Sequence, residues 1–193
     1  MKVVAVNGSP RKDGNTSIML RKILNIIEKN NIETKFLQVG GTNIHGCRAC
    51  RKCGEIKNKK CIFDDDVFNE LYKEIIDADA IILGTPSYFS DMTPEMKAFI
   101  DRTGFVSLQN GGLLKRKIGA GVVAQRRGGA SHIQASLNHM FLMSEMFIVG
   151  STYWNIGFGL NKGDVENDKE AMTNMENLGE NITWLIKKIY EFA

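Results

Sequence analysis

Length, composition and charge restrict this chain to a few classes of protein. Its 193 residues are enough for a sizeable core, and we expect a single domain over 1–193. With 43% hydrophobic and 24% charged residues and a net charge of +3, nothing indicates nucleic-acid binding. No apolar run approaches the roughly 20 residues of a membrane span, and no signal peptide precedes the first strand-like run. We therefore expect no membrane partner and a cytoplasmic location.

Apolar strands and amphipathic helices alternate along the sequence. In chain order the patterns predict strands at 2–7, 34–39, 80–85, 118–124 and about 147–151, with helices near 16–30, 66–79, 93–102, 131–146 and 169–192. The last predicted helix has a stripe of apolar residues, which is typical of a helix face that packs on the core. The stretch 151–168 is long for an unstructured connection, and it is interpreted either as a contact with a subunit or ligand or as a packed surface loop.

This alternation predicts an α/β fold with a parallel sheet that is covered on both faces. Five strands suit a doubly wound, flavodoxin-like sheet in the order 2-1-3-4-5. In such a sheet, ligands bind beyond the carboxyl ends of the strands, where the strand order reverses. The loops after the first and third strands flank that point.

The first of these loops, "NGSPRKDGNTS", has the chemistry of a phosphate site. Its glycines permit unusual backbone angles, and the helix that follows offers free N–H groups and a positive dipole end. The candidate phosphate ligands are Ser9, Arg11, Asn15, Thr16 and Ser17. The loop matches neither GxxxxGK[ST] nor GxGxxG, which favours a mononucleotide. The alternative is a tight turn with an ordinary helix cap.

The second loop, "TPSYFSDMT", suits the ring of a flavin mononucleotide. Its turn offers aromatic faces and backbone polar groups through Pro86, Ser87, Tyr88, Phe89 and Ser90. Either aromatic side chain is equally able to pack on a helix or another subunit. The loop "QRRGGA" after the fourth strand is a candidate for the other side of the site, with close approach at Gly128.

All four cysteines of the chain lie in the loop 46–63 after the second strand. Cys47, Cys50, Cys53 and Cys61 have the spacing C-x2-C-x2-C-x7-C, and four thiolates are what one [4Fe–4S] cluster requires. A structural zinc ion is the main alternative, although zinc is commonly held by two separated pairs. Disulfides and unliganded thiols also remain possible explanations. The loop leaves the second strand at the edge of the sheet where the flavin is expected.

Together these motifs resemble the iron–sulfur flavoprotein family, within the NAD(P)H-dependent FMN reductases. The resemblance covers roughly residues 2–150 through "GSPRKDGNTS", "GCRACRKC…C" and "TPSYFSDMTPEMKAFIDR". It implies FMN, one [4Fe–4S] cluster on the four cysteines, and homo-oligomers, dimers or tetramers, in which cluster and flavin approach across subunits. It also implies ferredoxin or a similar one-electron donor, with oxygen species among the acceptors. The seven-residue gap before Cys61 is at the long end of the family pattern.

Three hypotheses follow from the sequence. The first is an electron-transfer protein with FMN and a [4Fe–4S] cluster, and the second is an NAD(P)H-dependent FMN or quinone reductase with a structural zinc loop. The third is a non-catalytic, zinc-stabilised interaction domain, which the flavin loops disfavour. No general acid or base can be identified, and His132 and His139 are more typical of structural positions on a helix.

Overall fold

Parallel strands form the centre of the protein in the computed structural model, which describes residues 1–190. The strands of this part of the chain are β1 (Lys2–Asn7), β2 (Glu33–Gln38), β3 (Ala80–Pro86), β4 (Ile118–Gln125), β5 (Phe147–Ile148) and β6 (Ile156–Phe158). The helices are α1 (Asn15–Glu28), α2 (Lys52–Ile56), α3 (Phe68–Ile76), α4 (Pro94–Gln109), α5 (Ala130–Met143) and α6 (Lys169–Tyr190), with a 3-10 turn at Asp164–Asn167.

The strand order is β2-β1-β3-β4-β5, with β6 also paired to β4. This confirms the predicted fold class and order. The fifth strand differs from the prediction of 147–151, because pairing with β4 stops after Ile148 and resumes in β6, where Ile156 pairs with Val123. Between these pieces the Ser151 hydroxyl donates to the Tyr153 carbonyl and contacts Asn155 Oδ1, so local bonds replace the ladder.

Apolar side chains of the central strands point alternately to two cores. One core lies under α3, α4 and α5, and the other lies under α1 and α6. The apolar stripe of α6 is buried, including Met175, Leu178, Ile182 and Ile186, as predicted. The last residues of the predicted C-terminal helix, 191–192, lie outside the described residues.

Several helix bounds differ from the patterns in the sequence. Helix α4 continues to Gln109 instead of ending near 102, and α2 within the cysteine loop was not predicted. Helix α4 begins as expected, with Pro94 in its first turn and the Thr93 hydroxyl as its cap, accepting from the Met96 N–H at 3.4 Å. Within residues 1–190, no helix is long and apolar enough to cross a bilayer.

Candidate functional site

The strands β2, β1 and β3 are neighbours in the sheet. Their C-terminal ends meet at the point where the strand order reverses. The Gly8 N–H donates to the Gly84 carbonyl at 2.7 Å, and the Thr93 hydroxyl donates to the Gly8 carbonyl at 2.8 Å. A Cβ on Gly40, just after β2, would collide with the Gly8 carbonyl. This glycine is therefore needed for close approach of the two loops. The predicted site loops thus start from one tightly connected region.

The N-terminus of α1 contains two buried hydroxyl groups with unsatisfied hydrogen-bonding capacity. Thr16 and Ser17 are each 1% exposed, and their oxygens have no hydrogen-bond partner within residues 1–190. No side chain of the described chain caps this helix at Gly14. Buried polar groups are normally paired, so these orphans indicate a missing acceptor. The residues present therefore fit a phosphate group at a helix N-terminus.

The other predicted phosphate ligands contact the segment 159–165. Arg11 donates to the Leu160 carbonyl at 3.3 Å, and Asn15 Nδ2 donates to the Asn161 carbonyl at 2.9 Å. The Asn15 side-chain oxygen also accepts from the Gly163 N–H at 3.0 Å. Ser9 Oγ accepts from the Arg11 N–H at 3.2 Å. This part of the stretch 151–168 therefore packs on the predicted phosphate loop.

The turn after β3 holds two non-glycine residues in the left-handed region of backbone space. Phe89 and Ser90 have φ values of 49° and 66°, and Tyr88 and Asp91 exchange backbone hydrogen bonds of 2.8 and 3.0 Å around them. Glycine or asparagine usually occupies such positions, and a phenylalanine there is strained. The Phe89 side chain is fully exposed and that of Tyr88 is 43% exposed. An exposed, strained aromatic is typical of a ligand-contacting turn.

The loops after β3 and β4 contact each other directly. Pro86 pairs with Ala124 in the sheet, and Ser87 donates from its backbone N–H to the Ala124 carbonyl at 2.8 Å. The Ser87 hydroxyl donates to the Gly128 carbonyl at 3.1 Å. A Cβ on Gly129, whose φ is 97°, would lie 2.7 Å from Ser87 Oγ. The predicted ring-binding residues of the two loops are therefore neighbours.

The four cysteines line one small cavity. Cys47 and Cys50 are exposed, Cys61 is partly buried, and Cys53 on α2 is 6% exposed; all four are free thiols. Burial raises the pKa of the Cys53 thiol, and the other three cysteines raise it further. Positive φ values at Ala49 and Arg51 turn the backbone between the ligating candidates. Because of these turns, cysteines that are three residues apart in sequence line the same cavity.

Arginine side chains surround these thiols. Arg48, Arg51 and Arg102 line the same cavity, and its described lining contains no carboxylate. This donor set fits an anionic, thiolate-ligated group better than a group of positive charge. Among residues 1–190, however, no group of three or more His, Cys, Asp and Glu side chains is arranged to hold a metal ion.

A buried ion pair closes the base of the cysteine loop. Arg102 pairs with Asp66, and it also donates to the carbonyls of His45 and Phe63, each at 3.2 Å. Asp66 accepts from the N–H groups of His45 at 2.8 Å and Phe68 at 3.0 Å. Burial alone would raise the pKa of the Asp66 carboxyl, but these hydrogen bonds and Arg102 outweigh burial and lower it. No motif pointed to this pair.

Comparisons with known proteins show the family of this chain. The family described as NADPH-dependent FMN reductase matches residues 1–161. An iron–sulfur flavoprotein of Methanocaldococcus jannaschii is 35% identical over 98% of this chain and 99% of its own. A second iron–sulfur flavoprotein of the same organism is 31% identical over 89% of this chain and 90% of its own.

Solved structures show the same fold at low identity. RosB with a bound 8-demethyl-8-formylriboflavin-5'-phosphate superposes with a TM-score of 0.76 at 18% identity, covering 99% of this chain and 81% of RosB. A flavodoxin from the domain Archaea gives 0.63 at 18% identity, covering 97% and 99%. The match to the family over most of the chain, the two relatives and the flavodoxin-like sheet lead to one conclusion. The chain belongs to the NADPH-dependent FMN reductase family, among the iron–sulfur flavoproteins.

Proposed function

We propose that this protein binds one FMN and one [4Fe–4S] cluster and relays electrons from a one-electron donor such as ferredoxin to an acceptor such as an oxygen species. The observation that carries the proposal is that Cys47, Cys50, Cys53 and Cys61 line one arginine-rich cavity. The relatives are named iron–sulfur flavoproteins, which supports an iron–sulfur group and a flavin, and the matched family is described by FMN. When bound, the cluster would exchange single electrons and the flavin would exchange one or two.

The chain's own residues have separate tasks in this proposal. Thr16 and Ser17 would donate from their unpartnered hydroxyls to the FMN phosphate, with free N–H groups of α1 beside them. The turn Pro86–Ser90 and the adjoining Gly128 would contact the ring, because Ser87 already connects the two loops. Arg102 and Asp66 would keep the four thiols in one cavity by tying the loop's ends.

The phosphate assignment has a direct test. Thr16→Val removes a hydroxyl that has no partner in the described chain, so we expect FMN affinity to fall about tenfold or more while riboflavin affinity is unchanged. Thr103→Val is the matched control, since Thr103 also carries a buried, unpartnered hydroxyl but lies on α4 outside the site loops. Fluorescence titration measures both. Equal losses for FMN and riboflavin would contradict the assignment.

The cluster assignment is tested on protein purified anaerobically. From the stoichiometry of a [4Fe–4S] cluster, we expect about four iron atoms and about four acid-labile sulfides per chain. Cys50→Ala is expected to lose the iron and keep the flavin. Zinc without acid-labile sulfide would instead favour the second hypothesis, a reductase with a structural zinc loop.

That second hypothesis, an NAD(P)H-dependent FMN or quinone reductase, is retained because the matched family is described as NADPH-dependent. Stopped-flow reduction by ferredoxin and by NADPH distinguishes the two. We expect rapid reduction by ferredoxin, and rapid reduction by NADPH alone would favour the alternative.

We also propose that the protein forms a homo-oligomer, a dimer or tetramer. A groove between α4 and α5, of about 350 Å³, is lined partly by Leu108 and Met143, which are 57% and 80% exposed. Such exposed apolar side chains suit contact with a second copy. Sedimentation of the wild type and Met143→Glu measures this, with a smaller species expected for the variant.

A further inference from the structure

The cysteine loop, residues 46–63, concentrates the positive charge of the protein. It contains one acidic residue, Glu55, and six basic residues: Arg48, Arg51, Lys52, Lys57, Lys59 and Lys60. These give the loop a formal charge of +5, whereas the whole chain has +3, so all other residues together are negative. A surface with one sign of charge attracts an oppositely charged partner and raises the rate of encounter.

The basic residues of the loop fall into two sets. Arg48 and Arg51 line the cavity of the thiols, and no lysine is in its described lining. The arginines are therefore placed to offset the charge of the thiolates. Three of the lysines are exposed and form no ion pair within residues 1–190, and we call them the lysine tip: Lys57, Lys59 and Lys60. Their charges are free to meet a partner.

The lysine tip is attached to the end of α4. The Lys59 N–H donates to Asn110 Oδ1 at 2.9 Å, and Asn110 Nδ2 donates to the Cys53 carbonyl at 3.3 Å. Lys57 and Lys59 have φ values of 52° and 61°, in the left-handed region that non-glycine residues seldom adopt. A surface that is arranged before binding loses less conformational entropy when a partner docks.

Exposed apolar side chains and exposed thiols belong to the same loop. Ile56 and Ile62 flank the lysine tip in sequence and are 50% and 49% exposed, and Ile62 also lines the thiol cavity. Cys47 and Cys50 are exposed as well. Apolar contacts with a polar rim are usual in protein–protein interfaces. The thiol cavity has a volume of only about 20 Å³, far below that of a nucleotide pocket. These features favour a protein partner.

We propose that the lysine tip is the docking surface for an acidic protein that donates single electrons to this loop. Carboxylates of the donor would pair with the three lysines, and its apolar surface would contact Ile56 and Ile62. Each encounter transfers one electron: the donor is oxidised by one electron and this protein is reduced by one, with no bond formed or broken. The inference rests on the proposed function, since it identifies where the one-electron donor binds and which charge it carries.

Stopped-flow reduction of the anaerobic holoprotein by an acidic ferredoxin tests the proposal. In Lys57→Glu/Lys59→Glu we expect the second-order rate constant at low ionic strength to fall at least about tenfold, and the difference to shrink at about 0.5 M salt. Lys29→Glu/Lys187→Glu is the matched control with the same change in net charge. Lys29 precedes β2 and Lys187 contacts Asn30, so both lie where β2 begins, whereas the cysteine loop follows its other end.

Reduction by the methyl viologen radical separates docking from loss of a cofactor. This small cation needs no acidic docking partner, so we expect it to reduce Lys57→Glu/Lys59→Glu at least as fast as the wild type, with equal iron content. Lys57→Gln/Lys59→Gln removes the charges without reversing them, and its rate with ferredoxin should lie between the other two. If the charge reversal loses iron, the same comparison is made with this neutral variant.

Four results would overturn the proposal. If ferredoxin reduces the charge-reversed variant as fast as the wild type, the docking surface is wrong while the electron relay stands. If ferredoxin reduces neither protein although methyl viologen reduces both, the proposed donor fails together with this inference. A slower reduction by NADPH in the variant would assign the lysines to a nucleotide. A smaller species in sedimentation of the variant would assign them to a second copy of this chain.

Discussion

Arg102 and Asp66 form an ion pair in which the side chains are only 3% and 0% exposed. The pair lies where the two ends of the cysteine loop meet, and the guanidinium also lies 4.1 Å from the centre of the Phe68 ring. A pair so buried is costly to break, because the remaining charge loses its partner without regaining water. The loop is therefore attached to the rigid part of the fold at its base.

Replacing Arg102 should release the cysteine loop. For Arg102→Met we expect the iron content to fall severalfold while FMN is retained, with a loss of stability of about 3–5 kcal/mol. Lys97→Met is the control, since Lys97 forms an exposed ion pair with Asp101 on the same helix and should change neither quantity. The double variant Arg102→Met/Asp66→Leu should recover stability but not iron. Full iron retention in Arg102→Met would show that the pair does not hold the loop.

The loss of stability at low pH should include a contribution from the Asp66 carboxylate. Its folded-state pKa is lowered, so its contribution is complete above the unfolded value of about 3.9 and is lost as pH falls from there through the lower folded pKa. In cluster-free protein, Asp66→Asn should therefore cost more stability at about pH 6 than at about pH 3. Urea unfolding at the two pH values measures the difference. A cost independent of pH would contradict the prediction.

Relieving the strain in the turn after β3 should raise stability and weaken flavin binding. Phe89→Gly removes a left-handed phenylalanine, and we expect the cofactor-free protein to gain about 1 kcal/mol while FMN affinity falls. Arg116→Gly is the matched variant, because Arg116 has a φ value of 64° and lies before β4, outside the site loops. It should raise stability without the same loss of affinity. Unchanged FMN binding in Phe89→Gly would remove Phe89 from the site.

The four thiols should differ in reactivity when no cluster is bound. Cys53 is buried and its pKa is raised, whereas Cys47 and Cys50 are exposed. We expect iodoacetamide to modify Cys53 at least about tenfold more slowly than the two exposed cysteines. Mass spectrometry of time points measures this. With the cluster bound, all four should be protected, and modification of Cys61 alone would show that it is not a ligand.

Most of the sheet could be predicted because its strands are short apolar runs in alternation with amphipathic helices. The order and the two cores follow from that pattern, and the stripe of α6 identified its buried face. The interrupted fifth strand could not be predicted in the same way. The sequence from Phe147 onward predicts a longer strand. In the structure, pairing with β4 stops after Ile148, and Ser151 and Asn155 form a local hydrogen bond instead.

Parts of the candidate site could be predicted where adjacent residues form a motif, but not where distant residues meet. The phosphate loop and the cysteine spacing are local, so they could be read directly from the sequence. The pairing of Arg102 with Asp66 joins residues 36 positions apart, and the contact of Asn15 with Gly163 joins residues 148 apart. Neither pair has a sequence signature, because such contacts depend on how the helices pack.

Helix α4 connects the two proposed cofactor sites. Its cap, Thr93, bonds to the loop after β1, and Arg102 holds the cysteine loop nine residues later, roughly 14 Å along the axis. One residue more or less between them would swing the guanidinium by about 100° and away from the loop. Relatives that keep both cofactors should therefore preserve the residue count from Thr93 to Arg102, even where the side chains between them vary.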